Sequence, residues 1–173
     1  RILVAMVETE SRDEIWPAYN DQLKTIAEKN IALGGTLKKV FLNYLAEAYN
    51  NVGVGATYHG EDTMALKNFE KSLTIFRESG NKKGETESLN NIGYVYNVQG
   101  NIQLALEYFH NSLKIHEELK NDNGIANVLN NIASIYSRQG ENEKALEYHY
   151  KSLKKREVLI FFFPFLNRQI YSL

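Results

Sequence analysis

The sequence predicts an all-α fold of antiparallel helix pairs stacked side by side, and three observations predict it. A block with a period of 40 residues recurs without a gap over most of the chain. Within each block the apolar residues lie three and four apart, the spacing of one helical face. Turn residues fall at the same places in every block, where a helix has to end.

The recurrence is specific. Asn50-Asn51-Val52-Gly53 returns as Asn90-Asn91-Ile92-Gly93 and as Asn130-Asn131-Ile132-Ala133. Gly60 returns as Gly100 and Gly140, Ala65-Leu66 as Ala105-Leu106 and Ala145-Leu146, and Ser72-Leu73 as Ser112-Leu113 and Ser152-Leu153. Between 84–119 and 124–159, 17 of 36 aligned positions are identical, a register that composition alone does not produce. Internal repeats of this length mean stacked supersecondary units, each unable to bury its apolar face alone.

The elements follow in order. Residues 12–32 predict an N-terminal helix with Ile15, Trp16, Tyr19, Leu23, Ile26 and Ala27 as its apolar stripe. Pro17 stands near its start, where proline is tolerated, and Gly34-Gly35 ends it. Such a helix is the cap that the first repeat needs. Trp16 reads as a core anchor, with ligand stacking as the alternative. A longer helix begins near Thr36 and runs into the first repeat, so residues 1–43 form the entry to the array and 44–83 the first repeat. The second repeat, 84–123, has Leu89, Ile92 and Tyr96 on the inner face of its first helix, which Gly100 ends through a left-handed C-cap. Ala105, Leu106, Phe109, Leu113 and Leu119 supply the face of its second helix. The third repeat occupies 124–159. Polar links, Gly80-Asn81-Lys82-Lys83-Gly84 and Lys120-Asn121-Asp122-Asn123-Gly124, separate the repeats.

These residues resemble the tetratricopeptide family, whose pattern is Trp-x2-Leu-Gly-x2-Tyr followed by Ala-x3-Phe and a proline. The second repeat has Leu89-x2-Ile92-Gly93-x2-Tyr96 and Ala105-x3-Phe109. The first has Tyr49-x2-Val52-Gly53-x2-Ala56 and Ala65-x3-Phe69, the third Leu129-x2-Ile132-Ala133-x2-Tyr136 and Ala145-x3-His149. Small residues at 53, 93 and 133, and alanines at 65, 105 and 145, let the two helices of a pair approach closely. The closing proline is absent; Arg77, Glu117 and Glu157 stand in its place. The period of 40 resembles a longer-helix branch similar to repeats in kinesin light chains, and more closely the sensory regions of bacterial histidine kinases and nucleotide cyclases. The resemblance covers residues 44–159 and implies a tetratricopeptide-type α-solenoid wound as a right-handed superhelix. It implies a protein or peptide partner and no catalysis.

The C-terminal segment departs from the repeat. Phe161-Phe162-Phe163-Pro164-Phe165-Leu166 replaces a fourth Asn-Asn-Ile-Gly core, and Pro164 is expected to stop the preceding helix. Residues 160–173 read as a degenerate cap, as a tail cut or altered from a continuing protein, or as an exposed aromatic patch that pairs the chain as a homodimer.

Composition and motifs exclude several functions. Formal net charge is −1, which leaves no electrostatic case for nucleic acid. The apolar run 158–166 falls short of the about 20 residues of a membrane span. The chain has no cysteine, which removes disulfides, thiolate chemistry and cysteine-bound zinc. A cytoplasmic setting is expected, with an extracytoplasmic sensor region as the alternative. Gly53-Val54-Gly55-Ala56-Thr57-Tyr58-His59-Gly60 is not a phosphate loop, because no Lys-Ser or Lys-Thr follows and no strand precedes it. Repeat packing accounts for Gly53 and Gly60 and leaves Gly55 unexplained. No two of His59, His110, His116 and His149 are four residues apart, so no helical metal pair exists and no metal or cofactor is expected. Glu61-Asp62, Glu85, Glu87 and Glu117-Glu118 read as first-turn charges and solvated faces. Lys151, Lys154, Lys155 and Arg156 lie near a helix C-terminus, favoured there by the dipole, and offer an alternative docking place for an acidic partner.

What remains is a groove. The resemblance implies that the first helix of each pair lines a concave surface. Opposite the core positions of the second repeat, helical spacing places Glu87, Asn90, Asn91, Tyr94, Asn97 and Val98. The same places hold Glu47, Asn50, Asn51, Val54, Thr57 and Tyr58 in the first repeat, and Asn127, Asn130, Asn131, Ser134, Ser137 and Arg138 in the third. An asparagine amide pairs with a backbone N–H and C=O together, so a ladder of them suits an extended peptide, with Tyr58, Tyr94 and Arg138 selecting among ligands. The alternative is that the asparagines bond to one another in a spacer or self-assembly array. Arg138 is the only cation in the set, which argues against the carboxylate clamp of the family's chaperone-tail binders.

Overall fold

The computed structural model describes residues 12–33 and 37–170, with side chains described over 18–32 and 37–156. Seven helices follow one another: α1 (Arg12–Leu33), α2 (Lys38–Tyr58), α3 (Asp62–Ser79), α4 (Lys82–Val98), α5 (Ile102–Glu118), α6 (Asp122–Arg138) and α7 (Asn142–Ile170). No strand occurs among the described residues. α2 pairs with α3, α4 with α5 and α6 with α7, and each pair stacks on the next. α1 packs on α2 ahead of the first pair.

Every pair is closed by the same joint. After the first helix, Gly60, Gly100 and Gly140 take φ of 73°, 77° and 78°, the left-handed region that a side chain resists. Around Gly100 the N–H of Asn101 bonds to the carbonyl of Tyr96 at 2.8 Å, and the N–H of Gly100 to that of Asn97 at 3.2 Å. This is the Schellman pattern, which satisfies carbonyls that the helix end would leave open. Between pairs the same cap is made by Gly80, but in the next repeat by Lys120, with φ of 51°. Left-handed backbone costs a non-glycine residue about 1–2 kcal/mol, so this joint carries strain that its predecessor lacks. Asn81 and Asn121 then cap the following helices, each accepting from the N–H of Gly84 or Gly124 at 3.0 Å.

The core is built where small and large residues alternate. Ala56, Ala65, Phe69, Leu73, Leu89, Ile92, Val95 and Ile115 form one buried cluster, and Ala105, Phe109, Val128, Ile132 and Ile135 the next. A Cβ on Gly53 would stand 2.6 Å from the Phe69 ring and one on Gly93 3.0 Å from the Phe109 ring, so glycine is what lets these helices meet. Gly55 has nothing within 4 Å of such a Cβ, and the structure supplies no packing reason for it. The recurring serines tie second helices to first: Ser112 Oγ donates to the Thr86 carbonyl at 3.3 Å and Ser152 Oγ to that of Ala126 at 2.8 Å. Tyr96 stacks on Tyr108 at 5.6 Å and Tyr136 on Tyr148 at 5.4 Å, the same contact one period apart.

The structure corrects several expectations. Leu119 is exposed and lies beyond the end of α5; Ile115 and the buried His116 fill that end of the helix instead. Ile26 is exposed, and Asn20 is buried beside Leu23 and Ala27. His149 is exposed, although it stands where α3 and α5 have core phenylalanines. Pro164 does not end α7, which continues to Ile170. A proline removes one backbone bond and crowds the preceding turn; in a 29-residue helix the turns on either side carry through it. The expectations for Trp16, Gly34-Gly35 and the aromatic side chains of the C-terminal segment lie outside the described residues.

Candidate functional site

The outward face of α2, α4 and α6 carries the asparagines, and the structure pairs most of them across helices. Asn91 Nδ2 donates to Asn50 Oδ1 at 3.0 Å, joining α4 to α2. Arg138 donates to Asn97 Oδ1, joining α6 to α4. Both contacts span 41 residues, one period plus one. Asn51 Nδ2 donates to Asn20 Oδ1 on α1 at 3.4 Å. On α6, Asn127 Oδ1 accepts from Arg156 at 2.9 Å and Asn130 Oδ1 lies 3.1 Å from His149 Nδ1, both on α7. Glu87 is exposed, 3.9 Å from Lys83.

One rung of this pattern is open. The same 41-residue offset pairs Asn131 with Asn90, but that bond is not formed. Asn131 is exposed, and Asn90 Oδ1 is buried with no hydrogen-bond partner. Among the described residues it is the only buried side-chain polar atom in that state. A buried acceptor without a donor costs about 1–3 kcal/mol. α2 and α4 approach each other along this face more closely than α4 and α6 do; the latter are tied at the helix end by Arg138 and Asn97, and the Asn90–Asn131 rung stays unformed.

Beside the closed α2–α4 rung lies a cleft of about 430 Å³ lined by Val54, Thr57, Tyr58, Phe69, Asn91 and Tyr94. Tyr58 is 84% exposed and Tyr94 52%. Aromatic side chains left in solvent on an otherwise amide-rich face present apolar area together with a hydroxyl. Five of the six lining residues were placed on this face by helical spacing. Phe69 was read only as core, because it aligns with Phe109. Asn20 and Asn43 were missed altogether. Asn43 accepts from Ser79 at 2.7 Å and Asn81 at 3.3 Å, tying α2 to the joint between α3 and α4. Neither residue sits in the Asn-Asn motif, so no repeated position flags them.

Among the described residues, two titratable groups are buried in the joints. Glu85 was read as a solvated charge, yet it is 6% exposed and bonded to Arg77 Nε and Lys82 Nζ, each at 2.9 Å. Burial by itself raises its pKa; the hydrogen bonds from Arg77 and Lys82 outweigh that and hold it below the usual carboxylate value. His116 takes the place that Phe76 has one repeat earlier and packs against Gly124 as Phe76 does against Gly84. Its pKa is pushed down by burial. Asn121 Oδ1 is committed to the N–H of Gly124, so its Nδ2 is the atom facing His116 Nδ1, at 3.3 Å. That contact requires an unprotonated Nδ1.

His116 binds its proton less readily folded than unfolded, so its contribution is complete above the ordinary value of 6.5 and is lost as pH falls below it. Melting temperature is expected to drop between pH 7.5 and 5.5, where Glu85 stays ionised, and the drop should shrink in His116→Phe. An equal drop in both proteins would place the titration elsewhere.

Among the described residues no three His, Asp or Glu side chains are grouped to hold a metal ion. The basic stretch is largely engaged: Lys151 pairs with Glu147 at 2.6 Å, Lys155 with Asp122 at 2.9 Å, and Lys154 lies over the Tyr150 ring. No helix among the described residues is long and apolar enough to cross a membrane.

Comparison with known proteins agrees with this architecture. The family model described as Tetratricopeptide repeat matches residues 84–157. No curated protein is a significant match to the sequence. Among solved structures the chain is similar to aspartyl phosphate phosphatase F from Bacillus subtilis, at 19% identity and TM-score 0.72, covering 82% of this chain and 35% of that one. It is similar to BtubC (BKLC) from P. vanneervenii at 18% identity and TM-score 0.68, over 87% and 59% of the two chains. MamA matches at 17% identity and TM-score 0.57, over 91% and 86%. The chain thus spans about a third and three fifths of the first two, and at these identities the likeness is one of fold. Residues 84–157 are tetratricopeptide repeats of the family so named, and the chain has the fold of a tetratricopeptide-type helical solenoid.

Proposed function

We propose that the chain binds a protein or an extended peptide through the outward face of α2, α4 and α6. The family match and the solenoid neighbours support a protein-interaction scaffold, and no catalytic family is indicated. The observation that carries the reading is the cleft between α2 and α4, where Tyr58 and Tyr94 stand exposed beside a floor containing Phe69. Its volume of about 430 Å³ lies within the usual size of a ligand site. One bulky side chain of a partner fills it, and the exposed amide of Asn131 takes a backbone group further along. A place in a larger bacterial signalling protein belongs to the same proposal and rests on the resemblance of the 40-residue repeats to sensor regions.

The inter-helix asparagine pairs favour a second reading, a spacer whose amides serve only the array. Binding to a partner recovered by pull-down separates the two. Tyr58→Ala with Tyr94→Ala should weaken it by about 2 kcal/mol or more, as truncation of aromatic anchors does. Asn131→Ala should weaken it by about 0.5–1.5 kcal/mol. Unchanged affinity in both variants, with helix content intact, would leave the spacer reading standing.

A further inference from the structure

The second helix of each repeat presents an apolar stripe to the repeat that follows. Leu66 and Leu73 of α3 pack in the first core cluster, and Leu106 and Leu113 of α5 in the second. The equivalent residues of α7 are uncovered: Leu146 is 69% exposed and Leu153 50%, with Tyr150 between them at 58%. Spaced four and three apart, they form one face of the helix.

We propose that this face is a self-association surface, covered by α7 of a second copy of the chain lying antiparallel across it. The charges flanking the stripe select the occupant. Glu143 and Lys154 are eleven residues, three turns, apart and therefore lie on the same flank. Both are exposed, and among the described residues neither forms an ion pair. A two-fold axis at the middle of the stripe sets Leu146 against Leu153 of the partner subunit, and Glu143 beside Lys154 of the partner subunit, twice. A parallel two-fold arrangement puts these flanks on opposite sides of the seam and forms neither ion pair. The surface is separate from the α2–α4 cleft.

Sedimentation equilibrium of the full chain over a range of concentrations tests this. A monomer–dimer equilibrium is expected. Lys154→Glu should raise the dissociation constant about tenfold or more, Glu143→Lys should do the same, and the two together should restore it. Leu146→Glu should abolish the dimer with helix content unchanged. A monomer at every concentration, as expected if a further helix pair is the natural cover, overturns the proposal. So does a dimer indifferent to Lys154→Glu, or a double variant that stays as weak as the single ones.

Discussion

Phe109→Ala is expected to lower the unfolding free energy by about 3–5 kcal/mol. Phe109 is fully buried between α5 and the first helices of the second and third repeats, in the cluster with Ala105, Val128, Ile132 and Ile135. Removing the ring forfeits its transfer out of water and leaves a cavity that four short or β-branched neighbours cannot close. Urea unfolding followed by circular dichroism measures the loss. A cost below about 1 kcal/mol would show that the site collapses freely, contrary to tight packing. Stability in a stacked array is a sum of repeat and interface terms, so damage at Phe109 should also uncouple the third repeat from the first two and broaden the transition.

Gly93→Leu is expected to cost about 1–3 kcal/mol or more from the opposite cause, overpacking. A Cβ at this position stands 3.0 Å from the Phe109 ring and 3.3 Å from the Ala105 carbonyl oxygen. The ring has no room to retreat, and the carbonyl is held in the backbone of α5. The two changes share one space, so they should not add. In Phe109→Ala the new leucine enters the volume the ring has left, and the double variant should recover about 0.5–3 kcal/mol relative to the sum of the singles. Full additivity would mean that Gly93 and Phe109 do not face each other.

Helix pairing, repeat length and small-to-large alternation were legible in the sequence because they rest on local periodicity. Gly93 against Phe109 and Ala105 follows from spacing alone, as does the glycine that ends each first helix. Prediction failed where a position left the repeated register. Leu119 was given to the core by its place after Leu113, but the chain has already passed the α5 cap there. His116 occupies the Phe76 position against Gly124, and the spacing of the histidines gave no sign of it. Glu85 looked like a first-turn charge; only the return of α4 beside α3 brings Arg77 to it. Pro164 was read by its strong local penalty, and a long helix overrode it.

The candidate site divides in the same way. Helical spacing by itself determined which side chains share the outward face, from Asn50 and Tyr58 through Asn90 and Tyr94 to Asn131 and Arg138. It could not determine what each amide bonds to, because an asparagine has both donor and acceptor and the choice depends on distances between helices. Those distances are set by the core behind the face. Where α2 and α4 close on each other, Asn50 and Asn91 are spent on the fold. Between α4 and α6 the matching Asn90–Asn131 bond does not form, and the amide of Asn131 stays exposed. The same packing sets the cleft at Tyr58 and Tyr94, since its floor is Phe69 from a different helix. Sequence periodicity specifies faces; the spacing between faces, and with it the difference between a structural amide and an available one, belongs to the tertiary structure.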